Sequence, residues 1–152
     1  MKSEVIQIIT SLTGSIGFSL IFGLRGKQLP VAAIGAGFTW GIYLVAEACG
    51  SGLFFANVLA SIFAGIYTVV FSHVLKVPKT VLTFSVVVSL IPGRALYNTM
   101  KYAMSGEWLE FAQSGMTTIS VAAAIAIGIT VVLMGAQLTG KLKLAIKERR
   151  QK

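Results

Sequence analysis

The 152 residues predict an all-α membrane protein of five transmembrane helices. Hydrophobic residues make up 55% of the chain and charged residues only 12%, with a mean hydropathy of +0.82, whereas a soluble domain carries about 25% charged residues. Five apolar runs approach or exceed the roughly 20 residues that a helix needs to cross the hydrocarbon layer. They are Val5 to Leu24, Leu29 to Ala48, Leu53 to Val74, Val81 to Met104 and Gly115 to Leu138. Lys and Arg gather at alternate ends of these runs, the pattern left when positive charge stays on the cytoplasmic side.

The first run follows "MKSE" and leads into "RGKQ". Its flank is barely basic and no small-residue cleavage site follows, so it is expected to remain as the first span and not to be removed as a signal peptide. The second run ends with Glu47 ahead of Cys49, and the third carries His73, the only histidine, at its far end. The fourth is interrupted by Pro92 and Gly93. Between the fourth and fifth runs, Ser105 to Ser114 reads "SGEWLEFAQS", an outer turn whose Trp108 anchors at the interface. Small residues recur at helix-packing spacing: Thr13 with Gly17, Gly37 with Gly41, Ser61 with Gly65, and Gly128 with Gly135 a heptad apart. Such positions let backbones approach where lipid gives helices no hydrophobic reason to associate.

With the C-terminus inside, Arg25, Lys27, Lys76, Lys79 and the six cations of the tail "KLKLAIKERRQK" are cytoplasmic, against only Lys2 and Lys101 outside. The expected topology is therefore N-terminus out and C-terminus in. The expected organisation is a five-helix domain over 1–140 and a basic cytoplasmic tail over 141–152, the latter drawn to anionic headgroups.

The residue inventory narrows the function. Asp is absent, and the acidic residues are Glu4, Glu47, Glu107, Glu110 and Glu148. No carboxylate pair, metal triad or nucleophile with an adjacent base can be assembled inside the apolar runs, so an enzyme is not expected and no cofactor is implied. The single Cys49 excludes a disulfide framework within one chain. A net charge of +8 is not read as nucleic-acid binding, because the cations sit at the ends of apolar runs without an aromatic reading surface.

The stretch "SLIPGRALY", Ser89 to Tyr97, carries the most chemistry. At helical rise Pro92 stands about 18 Å above the cytoplasmic end of its run, beyond the middle of a layer about 30 Å thick. Proline removes a backbone donor and disfavours helix before it, and a break at that depth survives only against protein or a wet cavity. A second half-helix starting near Gly93 would aim free N–H groups and its positive dipole end at the break. Arg94 adds a planar donor fork suited to carboxylates. The candidate substrate residues are Arg94, Gly93, Pro92, Tyr97, Asn98 and Ser89. Glu47 is the candidate for proton coupling, or for an ion pair with Arg94 that would make the kink purely structural.

The residues from Pro78 to Met100, "PKTVLTFSVVVSLIPGRALYNTM", resemble the threonine/serine exporter family, in particular its short single-half subunit, which is similar to the small component of a two-subunit succinate exporter. Pro78 after a basic loop, the Pro92-Gly93 pair, Tyr97 and Met100 carry the resemblance. Ser89 and Arg94 depart from it, standing where family members often have proline and a small or apolar residue. The resemblance implies a secondary exporter of threonine- or serine-type amino acids or of dicarboxylates in the bacterial inner (cytoplasmic) membrane. It also implies a second five-helix membrane subunit of inverted topology, so that the two halves share a midplane site. A homo-oligomer and an accessory scaffold without its own site are the other arrangements compatible with this chain.

Overall fold

The computed structural model describes the backbone of residues 2–150 and the side chains of residues 5–139. The chain forms α1 (Lys2–Ile21), α2 (Gln28–Ala48), α3 (Gly52–Leu75), α4 (Lys79–Val87), a 3-10 turn (Val88–Leu90), α5 (Gly93–Ser105) and α6 (Trp108–Arg150). Among the described residues there is no strand. The side chains of the basic tail, 141–152, lie outside the described residues.

The helices α2, α3 and the Trp108–Thr139 part of α6 are each long and apolar enough to cross a membrane. The helices α4 and α5 form a fourth candidate only as a pair, bent by 61° at the break. The first expected span is α1, whose 20 residues reach about 30 Å at 1.5 Å per residue, the thickness of the hydrocarbon layer, with Val5–Ile21 as its apolar part. Among the described residues, length and composition give three spans, or up to four with the bent pair, against the five expected. The outer turn is also shorter than expected. It is confined to Gly106 and Glu107, because Gly106 takes a left-handed φ of 76° and closes α5 through its N–H on the Tyr102 carbonyl, so that α6 starts at Trp108.

The helices α2, α3 and α4 pack together at the centre, with α1 against α2 and α4, α6 against α3, and α5 against α6. One apolar cluster joins Ala60 and Ala64 of α3, Val86, Val87 and Leu90 before the break, and Val121 and Ile125 of α6. A second sets Leu24 of the α1–α2 turn against Ala32 and Leu82, with Phe71 and Val81 around it. This contact brings the α1–α2 and α3–α4 turns, with Arg25, Lys27, Lys76 and Lys79, to the same end of the bundle. Glu47 belongs to the opposite end, where α2 stops.

Small hydroxyls tie the helices to one another's backbones. Ser11 donates to the Ala36 carbonyl (3.3 Å), Ser15 to Ser85 (2.7 Å), Ser61 to Ala124 (3.4 Å), and the Tyr67 hydroxyl to Val31 (2.7 Å). Between α4 and α3, Thr83 donates to the Thr68 hydroxyl at 3.0 Å. The spacing arguments were partly misplaced on α1. Its packing stripe is Ser11, Ser15 and Ser19, all buried, while Thr13 and Gly17 face outward. On α3 and α6 three of the four expected small residues pack, Ser61, Gly65 and Gly128, and Gly135 does not. Val132 lies over Gly65, and Gly128 rests on α3 so closely that a Cβ there would collide with Ser61 Oγ and lie 2.9 Å from the Val58 carbonyl oxygen.

Gly135 has open space around it. Gly128→Val is accordingly expected to destabilise the protein by about 1–3 kcal/mol through overpacking of α3 against α6, while Gly135→Val changes stability by less than about 0.5 kcal/mol. Thermal unfolding of the two variants in one detergent measures the difference.

Candidate functional site

The break is built by local geometry. Val88–Leu90 tightens into a 3-10 turn, with the Ile91 N–H on the Val88 carbonyl at 3.3 Å. Ile91 is extended (φ −59°, ψ 127°), as the residue before a proline tends to be. Pro92 has no N–H to give, and the Gly93 N–H turns back to the Ile91 carbonyl at 2.7 Å. The next amide with a helical acceptor is that of Leu96, on the Pro92 carbonyl at 2.9 Å. The amides of Arg94 and Ala95 therefore stand in the first turn of α5, where a helix supplies no acceptor of its own. The Ser114 hydroxyl of α6 donates to the Ala95 carbonyl at 2.9 Å and pins the start of α5 to α6.

A cavity of about 640 Å³ opens at this break, within the size range of small-molecule sites. Its wall takes Pro92, Gly93, Arg94 and Asn98 from the break and α5, Trp40, Tyr43 and Glu47 from α2, Asn57 from α3, Gln7 from α1, and Ser114 and Thr117 from α6. The charged residues in that wall are Arg94 and Glu47, one of each sign. Glu47 and Tyr43, one helical turn earlier on α2, line the same cavity. Among the described residues no direct ion pair joins Glu47 to Arg94.

Five of the seven expected site residues thus come together: Pro92, Gly93, Arg94, Asn98 and Glu47. Two do not. Tyr97 is 68% exposed on the outer side of α5, since a step of one residue from Asn98 turns about 100° around a helix. Ser89 lies before the bend and faces α1, in a separate cavity of about 370 Å³ with Thr10 and Ser11. Its hydroxyl donates to the Val86 carbonyl at 3.2 Å.

Trp40, Tyr43, Asn57, Gln7, Ser114 and Thr117 were not anticipated. A signal existed for two of them, because Trp40, Tyr43 and Glu47 recur at i, i+3 and i+7 and so share one face of α2. The remaining polar candidates lie elsewhere. His73, with its Nδ1 at 2.7 Å from the Val69 carbonyl, sits beside Lys76 and Lys79 at the α3–α4 turn. Cys49 is exposed beside an apolar groove of about 820 Å³ between α1 and α2, lined by Ile34, Phe38 and Val45. That groove is larger than the cavity at the break but offers nothing to fix a polar solute. Among the described residues no group of three or more His, Cys, Asp or Glu could hold a metal ion.

A family model described as Threonine/Serine exporter, ThrE, matches residues 7–134, which contain the break and every cavity residue named above. No solved structure matches the chain.

The cavity face and the outward face of α5 are separable by chemistry. In a Cys49→Ser background, Asn98→Cys is expected to react with a charged thiol reagent at least about tenfold faster than Tyr97→Cys, because the thiolate forms only where water reaches it. Labelling rates in intact membranes measure this.

Proposed function

This chain belongs to the threonine/serine exporter family, and on that premise we propose that the cavity at Pro92 and Gly93 is where a small carboxylate-bearing solute is held during export. The observation that carries the proposal is the presence of Arg94 and Glu47, opposite in charge and not paired with each other, in the wall of one cavity at a broken helix. Both side chains are exposed at the cavity, and charges set within the depth of a membrane are costly unless they meet water or a counter-charge. A zwitterionic amino acid supplies both counter-charges. Its carboxylate would meet the Arg94 fork and the first-turn amides of α5, and its ammonium would meet Glu47. Asn98 and Thr117 would then be left for a hydroxyl-bearing side chain.

Succinate suits this wall less well, since Glu47 would face its second carboxylate with like charge. Tyr97 is reassigned by its outward position. With Leu96, Met100 and Met104 it gives α5 an exposed apolar face, which fits lipid or a second membrane subunit. A complementary half of inverted topology, in a bacterial inner membrane, would close the site from the other side and allow alternating access. With the N-terminus outside, the cavity end of the bundle would face away from the cytoplasm. Glu47 would then exchange protons there, if export is coupled to them.

Arg94→Gln is expected to lower L-threonine efflux from cells by about tenfold or more, as loss of a charge-assisted contact to a carboxylate does, with unchanged abundance in the membrane. Glu47→Gln lowers it as well. Unchanged efflux in Arg94→Gln would overturn the proposal, and loss of membrane abundance together with efflux would favour a scaffold.

A further inference from the structure

Trp40 stands in the wall of two cavities at once, the one at the break and the smaller one that holds Thr10, Ser11 and Ser89. Gln7 is the other residue common to both. The indole ring lies 4.9 Å from the Tyr43 ring, tilted by 32°, so an aromatic neighbour supports one side of it. Its Nε1 is buried and, among the described residues, has no hydrogen-bond partner. Ser19 Oγ is in the same condition, but Ser19 lines neither of these cavities.

A buried donor without an acceptor is unfavourable in a medium of low dielectric constant. Phenylalanine would fill much of the same space with no donor to satisfy. An indole at this position is therefore best matched to an acceptor that does not belong to the chain. Solute oxygens fit that role, since Arg94 in the same wall would bring a carboxylate into the first cavity, while the hydroxyls of Thr10, Ser11 and Ser89, whose protons go to the Ile6, Ala36 and Val86 carbonyls, are left to accept from the N–H or O–H groups of the same solute in the second.

We propose that the Trp40 indole is the partition between two chambers of one solute path, and that its N–H donates to an oxygen of the solute that crosses it. The proposal rests on the cavity at Pro92 and Gly93 being the solute site. It gives Ser89 a place on the path, in the second chamber and not in the first. A swing of the ring would join the two chambers.

The chain has two tryptophans, and Trp108 is exposed at the start of α6, so the full-length protein carrying Trp108→Phe in lipid nanodiscs reports on Trp40 alone. Titration with L-threonine is expected to shift Trp40 emission saturably, and the shift is lost when Arg94→Gln is added. Titration calorimetry on Trp40→Phe is expected to show half-saturation at about tenfold higher L-threonine, the effect of losing one donor to a charged oxygen. If calorimetry registers Arg94-dependent L-threonine binding while Trp40 emission does not move and Trp40→Phe binds as before, the partition is overturned and the solute site stands. If the unmodified chain binds no L-threonine, the solute site is overturned and the partition with it.

Discussion

A helix in hydrocarbon has to satisfy its own N–H and C=O groups, and the rest of this structure depends on where the chain meets that requirement and where it does not. Along α2, α3 and α6 the ladder is continuous, and the helices associate through close backbone contact and small hydroxyls. Gly128 on Ser61, Ser15 on the Ser85 carbonyl and Tyr67 on the Val31 carbonyl are the contacts that do this. These hydroxyls add donors between helices without disturbing the helices that carry them. At Ile91 to Ala95 the ladder fails. Proline withholds a donor, the 3-10 turn ends, and the next helix starts with amides that nothing within it can accept. Residues of α1, α2, α3 and α6 gather around that failure and form the rest of the cavity wall.

The charges follow from the same requirement. Arg94 begins α5, and its helix leaves it no position within the packed core, since none of the α5 side chains is buried. It is set in the cavity wall with Glu47, which α2 carries to the same end of the bundle. Two opposite charges that share a cavity without pairing leave room for a molecule that carries both signs. On the function proposed above, threonine and serine are such molecules, and the break would hold one. Alternating access would act on the same joint, because a helix already divided at Pro92 can change its angle without breaking a continuous helical ladder.

Much of this could be read from the chain. Hydropathy marked the apolar segments, because the hydrocarbon layer sets a length that composition must fill, but it read α4 and α5 as one run. The Pro92-Gly93 pair located the break, because proline chemistry is local. Arg94 and Asn98 were found together because they are four residues apart on one helix. Tyr97 was misplaced because three residues and four residues are both one turn, and only packing against α6 decides which side faces the cavity. Ser89 lines the neighbouring cavity and not the one at the break, because the bend separates residues that are close in sequence. Trp40 and Asn57 were not found at all. Trp40 shares a face of α2 with Glu47, but the place of both Trp40 and Asn57 in the wall depends on how α2 and α3 pack around the break, and no pattern within α3 singles out Asn57. The number of spans among the described residues is three or four against five expected, because α4 and α5 pass only as a bent pair and the apolar part of α1 is Val5–Ile21.

The most direct measurement of the open backbone at the break is amide hydrogen exchange of the membrane-embedded protein, comparing the peptide that contains Arg94 and Ala95 with one from the middle of α3. A wet site lined by protein predicts rapid exchange at Arg94 and Ala95 that slows when L-threonine is added, against slow exchange in α3 throughout. Exchange at Arg94 and Ala95 as slow as in α3, and indifferent to L-threonine, would contradict it.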